Sequence, residues 1–268
     1  MKKLSEEFCY NAIRGTFPGA NKIRIPAVPG HVAKVFIFKI NNGSRVCRFN
    51  EKTLVMRNQK LTKMLVDYGV PIKTTQVHTF QGQYFESYEY DPHKTLAECE
   101  TEMSDDEIIN AYKSALRIQA HLALFPLQQF NQIDKSHFMD VYKITMTKCI
   151  NNYMMQYLYR AVYKRFSVGK NMCVAHTDLT PANMLVSDNH NDIVRLIDFD
   201  AISICNENMA VFSALRLYPL SSAKELVEYY QDISGHKLNY REIMFMLKLF
   251  KGTLDFRKRL NDISFRQH

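Results

Sequence analysis

Residues 173–201 read CVAHTDLTPANMLVSDNHNDIVRLIDFDA, and this stretch decides how the rest of the chain is read. Met184-Leu185-Val186 is an apolar run with the length of a short buried strand, and Val194-Arg195-Leu196-Ile197 is a second. Between them, Ser187-Asp188-Asn189-His190-Asn191-Asp192 is turn chemistry, so the two runs predict a hairpin. A hairpin returns the residue before its first strand to the side of the residue after its second. Asn183 is thereby brought next to Asp198. Asp178 lies on the segment that feeds the hairpin, with His176 just ahead of it. Two carboxylates and an amide oxygen therefore converge at one end of a small sheet.

Phosphoryl transfer from ATP asks for such a set. One carboxylate accepts or orients the hydroxyl proton of the acceptor, while a second carboxylate and an amide oxygen, both hard ligands, hold Mg2+ against the nucleotide phosphates. The order His176-x-Asp178-Leu179-x-x-x-Asn183, then Asp198-Phe199, follows the catalytic loop and metal-binding segment of protein kinases. Thr177 stands where those carry Arg, and Asp200 replaces a Gly.

HTDLTPANML followed by LIDFD resembles the aminoglycoside phosphotransferase and choline kinase family, small-molecule kinases with a protein-kinase-like fold. The likeness is strongest over 173–201 and extends across 28–90. It implies a two-lobed α+β fold, with a small antiparallel β lobe over 1–90 for the nucleotide and a larger, mainly helical lobe over 91–268 for catalysis and acceptor binding. It also implies roles: Asp178 as catalytic base, His176 as a brace for its loop, Asn183 and Asp198 as magnesium ligands, and Asp200 as a further metal or substrate contact.

The first half of the chain supplies the elements of such a β lobe. A short helix fits residues 5–14, and an edge strand interrupted by Pro26 fits Ile23 to Val28. Gly30 marks the turn where the resemblance places a nucleotide loop, without the G-x-G-x-x-G of protein kinases. Lys34 to Ile40 and Ser44 to Phe49 are strands joined at Asn41-Asn42-Gly43. The resemblance places Arg48 toward the nucleotide phosphates. Arg45 is the rival, and strand alternation puts the two on opposite faces. A helix over Leu54 to Tyr68 follows. The family carries a Glu on this helix to pair with the strand cation; here that position falls at about Asn58, with Gln59 beside it, and neither is charged. Val77 to Phe80 and Tyr84 to Tyr90 form another hairpin. By resemblance, the backbone from Glu86 to Tyr90, Glu86 and Tyr88 included, is the hinge that holds adenine.

Composition narrows the partners. The chain has 268 residues, 46% hydrophobic and 23% charged, with a net charge of +8. No basic run of five or more appears, so a solvated surface explains the charge better than nucleic acid does. The cysteines form no C-x-x-C pair, which argues against zinc and for reduced core thiols. No apolar run approaches a membrane span and the N-terminus has no apolar leader core, so a cytoplasmic protein is expected. The oligomeric state is not legible.

Residues 91–268 read mainly helical. Ser104-Asp-Asp-Glu107 opens a helix to about Phe125, a long helix fits about 138–166, and the chain is helical again after Asp200, with caps at Ser222 and Asn239. The expected acceptor is a small-molecule hydroxyl compound. Choline or a related amino alcohol ranks ahead of sugars and aminoglycosides, because RFNEKTLVMRNQK is loosely similar to bacterial choline kinase-like proteins. Tyr218, Tyr229 and Tyr230, with Asp200, Glu207 and Glu225, are the candidate wall of its pocket. Two rival readings stand beside this: a catalytically silent nucleotide-binding module, resting on the missing helix Glu and the thin glycine loop, and a protein kinase, against which the sequence shows no Ala-Pro-Glu segment and no activation loop after Asp198.

Overall fold

The computed structural model describes residues 4–26, 33–41, 43–134, 171–190 and 192–265, with the backbone alone over 253–265. Gly30, Asn42 and the expected helix over 138–166 lie outside the described residues. The chain divides into two compact units, Met1–His93 and Lys94–His268.

The first unit is a five-stranded antiparallel sheet with helices on its faces. Its strands are β1 (Asn21–Arg24), β2 (Lys34–Ile40), β3 (Gly43–Phe49), β4 (Gln76–Phe80) and β5 (Gln83–Glu89), in the spatial order β1-β2-β3-β5-β4. The described part of β1 ends at Arg24, short of the Ile23 to Val28 span expected from sequence. Alternation sorts the residues of each strand onto two faces. One face carries Phe36, Phe38, Cys47, Phe49 and Phe85, which pack with Cys9, Ala12 and Ile13 of α1 (Glu6–Thr16). Phe49 and Phe85 stack at 4.8 Å between centroids. Ser5 caps α1 by accepting from the Phe8 amide at 3.1 Å. The opposite face carries Arg48 and Glu86 and meets α2 (Lys52–Asp67), whose buried residues are Val55, Asn58, Leu61, Thr62 and Leu65.

His78 is half-buried on the α1 face, its Nε2 2.8 Å from Ser87 Oγ. Burial and the nearby Arg45 guanidinium hold it below its ordinary value of 6.5. A base whose pKa is depressed by folding is protonated first in the unfolded chain, so the unfolded state gains protons and stability as pH falls below that value. Stability to urea is expected to drop between pH ~7.5 and ~5.5, and His78→Gln is expected to flatten that slope. An unchanged slope in the variant rejects the assignment to His78.

In the second unit, α3 (Leu96–Cys99) and α4 (Asp105–Ala123) each open on a reciprocal capping box, Thr95 with Glu98 and Ser104 with Glu107. α5 (Leu127–Ile133) follows. Two small antiparallel sheets come next. β6 (Met172–His176) pairs with β9 (Ile202–Asn206), and β7 (Met184–Val186) pairs with β8 (Ile193–Leu196). β9 corrects the expectation of helix directly after Asp200: ISICN opposes MCVAH strand to strand, and its residues are almost all buried. The chain then forms α6 (Glu207–Leu215), α7 (Ala223–Ser234) and α8 (Tyr240–Phe265). Asn239 caps α8 through the Glu242 amide at 3.3 Å. Ser222 makes no cap bond, and Glu225 pairs instead with Lys113 at 2.7 Å. No helix among the described residues is long and apolar enough to cross a membrane.

Candidate active site

The loop after β6 is held by hydrogen bonds from three directions. The His176 amide donates to Gln119 Oε1 of α4 at 3.2 Å, and its carbonyl accepts from Ser213 Oγ of α6 at 3.0 Å. Its fully buried imidazole lies with Nε2 2.9 Å from the Ile197 carbonyl, which fixes Nε2 as the donor. His176 therefore ties the start of the loop to the residue just before Asp198. Thr177 adds a second tie to the segment after Asp198, its amide and hydroxyl both donating to the Ala201 carbonyl at 2.9 and 2.6 Å.

Asp178 follows on this anchored backbone. Its side chain is 45% exposed, so a substrate can reach the carboxylate. Asn183 Nδ2 donates to its carbonyl at 2.8 Å and to its Oδ2 at 3.2 Å. Arg216 Nη2 donates to its Oδ1, while Nη1 donates to the Thr177 carbonyl at 3.0 Å. Both carboxylate oxygens thus have a fixed donor. An ionised carboxylate has about four lone-pair sites, which leaves acceptor capacity for a hydroxyl. Arg216 is the residue that sequence reasoning missed. It stands just beyond α6, at no spacing that marks it, and only the fold brings it to the loop.

Asn183 closes the 3₁₀ turn Pro181–Asn183 and leads directly into β7. Its carbonyl accepts from the Ile197 amide at 3.1 Å, the hydrogen bond expected where a hairpin returns on itself. The turn beyond is closed by Ser187, whose amide donates to the Asp192 carbonyl at 2.9 Å. Asn183 and the residue preceding Asp198 are therefore backbone neighbours. With its nitrogen on Asp178, the Asn183 amide has Oδ1 left to offer a cation. Asp198 adopts the left-handed conformation, φ 63° and ψ 63°, and starts the 3₁₀ turn Phe199–Ala201 that contains Asp200. A non-glycine residue in this region is uncommon and carries backbone strain, which concentrates at functional positions.

An amide oxygen and a carboxylate on adjoining strand ends are hard donors that fit magnesium. Among the described residues no group of three or more His, Cys, Asp and Glu is arranged to hold a metal. That donor set suits an ion that arrives with phosphate oxygens rather than one caged by protein alone.

The first unit holds the other charged constellation. Arg48 and Glu86 oppose each other directly on β3 and β5. Arg48 Nη1 donates to Glu86 Oε1 at 3.2 Å, with the side chains 6% and 0% exposed. Asn58 Nδ2, from α2, donates to the same Oε1 at 3.1 Å. Arg45 lies on the other face, bonded to Gln76 Oε1 and Ser87 Oγ and set 5.7 Å over the Phe17 ring.

The adenine-hinge expectation for Glu86 and Tyr88 is corrected by this register. The Tyr90 amide donates to the Ser44 carbonyl, so by alternation the main-chain groups of Tyr88 and Glu86 also face β3 and are spent on the ladder. The Glu86 carboxylate is engaged as well. Of the other nucleotide-binding candidates, Gly30 lies outside the described residues.

The aromatic wall expected after Asp200 is also corrected. Tyr230 is fully buried, and its hydroxyl donates to Glu207 Oε1 at 3.1 Å. Burial pushes the Tyr230 phenol well up, which keeps it a donor. Glu207 is buried too and lies 2.8 Å from His236 Nδ1. Tyr218 packs on Tyr112 at 4.5 Å, and Tyr229 is covered by Lys113. Tyr218 and Tyr230 belong to the core of the unit, whereas Tyr229 stays partly exposed.

No family model matches the sequence, and no curated protein matches it. Solved structures do match the fold. An aminoglycoside-3'-phosphotransferase of type VIII superposes with a TM-score of 0.66 at 12% identity, covering 91% of this chain and 97% of that one. A macrolide 2'-phosphotransferase from Brachybacterium faecium gives 0.65 at 12% identity, covering 97% and 93%. The GDP complex of aminoglycoside 2'-phosphotransferase-IIIa gives 0.65 at 15% identity, covering 92% and 88%. At these identities the likeness establishes the architecture. The chain has the two-lobed α+β fold of the kinase-like phosphotransferases.

Proposed function

We propose that this chain, built on the kinase-like phosphotransferase fold, transfers the γ-phosphate of a nucleoside triphosphate to a hydroxyl of a small molecule. The observation that carries the reading is the joined set Asp178, Asn183 and Asp198. The loop presents a reachable carboxylate hydrogen-bonded to Asn183, whose backbone is paired with the residue before Asp198. Asp178 accepts or orients the acceptor's hydroxyl proton, held in place by Asn183 and Arg216. His176 and Thr177 keep the loop in register with Asp198. Asn183 and Asp198 are the residues that would hold magnesium, and Asp200, in the turn that follows Asp198, is a further candidate contact for metal or substrate. The bound ion supplies charge neutralisation at the phosphate oxygens. Arg48 is the phosphate contact from the β lobe.

The silent-module rival rested on the missing helix Glu and the thin glycine loop; the first ground weakens, because Arg48 has a counter-ion in Glu86.

For the acceptor, Tyr218 and Tyr230 lie in the core, which leaves Tyr229 as the partly exposed ring of the three. The sequence likeness of RFNEKTLVMRNQK still places an amino alcohol first among compounds to try, with aminoglycosides and other sugars beside it. Because one matched structure was solved with GDP, the nucleotide is ATP or GTP. The test is nucleotide consumption with each of these triphosphates against a panel of amino alcohols, sugars, aminoglycosides and macrolides. At least one hydroxyl compound is expected to raise the rate about tenfold or more above the acceptor-free rate. Nucleotide binding without turnover on any acceptor would reject the enzyme reading.

A further inference from the structure

We propose that Glu86, carried on strand β5, is the positioning residue that aims the Arg48 guanidinium at the nucleotide phosphates, standing in for a carboxylate that helix α2 lacks. The inference rests on the phosphotransferase reading and goes beyond it by assigning the second partner.

Arg48 and Glu86 are cross-strand partners in a central pair of the sheet, so their side chains leave the same face from adjacent backbones. The guanidinium is therefore fixed by the ladder itself. Burial makes the pair informative. Arg48 is 5% and Glu86 0% exposed, and desolvating two charges costs as much as their attraction returns. An apolar pair of the same volume would serve the fold equally well. What an ion pair adds is direction, because the planar fork of Arg reads a carboxylate in one geometry.

The helix contributes the complement. Asn58 is the α2 residue that reaches the pair. It is fully buried, and it donates to Glu86 Oε1 just as Arg48 does. A carboxylate at that position would repel Glu86, whereas an amide donor fits it. The turn bearing Asn58 is anchored in its own right. Thr62 Oγ1 donates to the Asn58 carbonyl at 2.8 Å and accepts from the Thr75 amide at 3.1 Å. Neutral helix residue and charged strand residue thus form one unit around Arg48.

The experiment measures binding of ADP and GDP, each with magnesium, against the matching nucleosides. In Glu86→Gln, affinity for the diphosphate is expected to fall about tenfold while affinity for the nucleoside is unchanged, as when a residue that orients a ligand-binding group is lost. Glu86→Gln combined with Asn58→Glu, which moves the carboxylate from strand to helix, is expected to recover most of the loss. Equal loss for nucleoside and diphosphate, or no loss for either, overturns the proposal. Should Glu86→Gln fail to fold, the charge-exchanged Arg48→Glu/Glu86→Arg protein keeps a buried pair. It is expected to lose diphosphate affinity, and wild-type affinity there also overturns the proposal. A wild-type protein that binds neither diphosphate rejects the phosphotransferase reading itself, and this inference with it.

Discussion

Replacing Asp178 by Asn is expected to lower turnover by about 10²–10⁴-fold while nucleotide affinity stays within about threefold of wild type. The asymmetry follows from position. The carboxylate is 45% exposed at the loop, where an acceptor hydroxyl can reach it, and its own contacts are to Asn183 and Arg216. An amide keeps the shape of the side chain and can still accept from Arg216. It has lost the basicity needed to take a proton. Turnover and equilibrium nucleotide binding are to be measured separately. A variant that keeps more than about a tenth of wild-type turnover would mean that another group accepts the proton.

A second large effect is expected at Asp198, with a different signature. Asp198→Ala is expected to reduce kcat/KM by about 10²–10³-fold and to weaken nucleotide binding together with turnover, with partial recovery at high magnesium. The reason is the proposed pairing of Asp198 and Asn183 as magnesium ligands, on segments that the hairpin joins through the Ile197 amide and the Asn183 carbonyl. The left-handed backbone at 198 calls for a control, since Ala is strained at φ 63° whereas Asn tolerates it. Asp198→Asn is therefore expected to melt closer to wild type than Asp198→Ala, yet to share its loss of magnesium-dependent binding. Unchanged magnesium dependence in both variants would remove Asp198 from the metal site.

Much of this site was legible because its residues lie close together in the chain and are separated by punctuation the eye can read. Ser187 to Asp192 announce a turn, the apolar runs either side announce strands, and the hairpin reading brings Asn183 next to Asp198; the structure pairs Asn183 with Ile197, one residue earlier. The separation of Arg45 from Arg48 followed from alternation alone. Asn58 was found at the position where a helix Glu was missing, and it does face Arg48's counter-ion.

The residues that escaped have physical reasons. Arg216 reaches Asp178 through tertiary packing of α6, and nothing local distinguishes it from a surface Arg. Glu86 lies in a strand whose neighbours Ser87, Tyr88 and Glu89 look solvent-facing, so its burial is invisible until β3 is laid beside it. Tyr218 and Tyr230 are ambiguous by nature, since a ring with a hydroxyl serves a core or a pocket equally well. β9 was lost because ISICN is short and follows a motif usually read to its end.

The sharing of one Glu86 oxygen by Arg48 and Asn58 also has an evolutionary consequence. Losing either charge of the buried pair alone costs about 3–5 kcal/mol, because the remaining ion is stranded. Gaining Glu at 58 while Glu86 remains sets two carboxylates around a single guanidinium, at the distance an amide now spans. Each one-step path between a strand-borne and a helix-borne counter-ion therefore crosses a fitness valley, although both end points are sound. Under the proposed role of Glu86, positions 58 and 86 are expected to show reciprocal sign epistasis, and descendants of this chain to change both or neither.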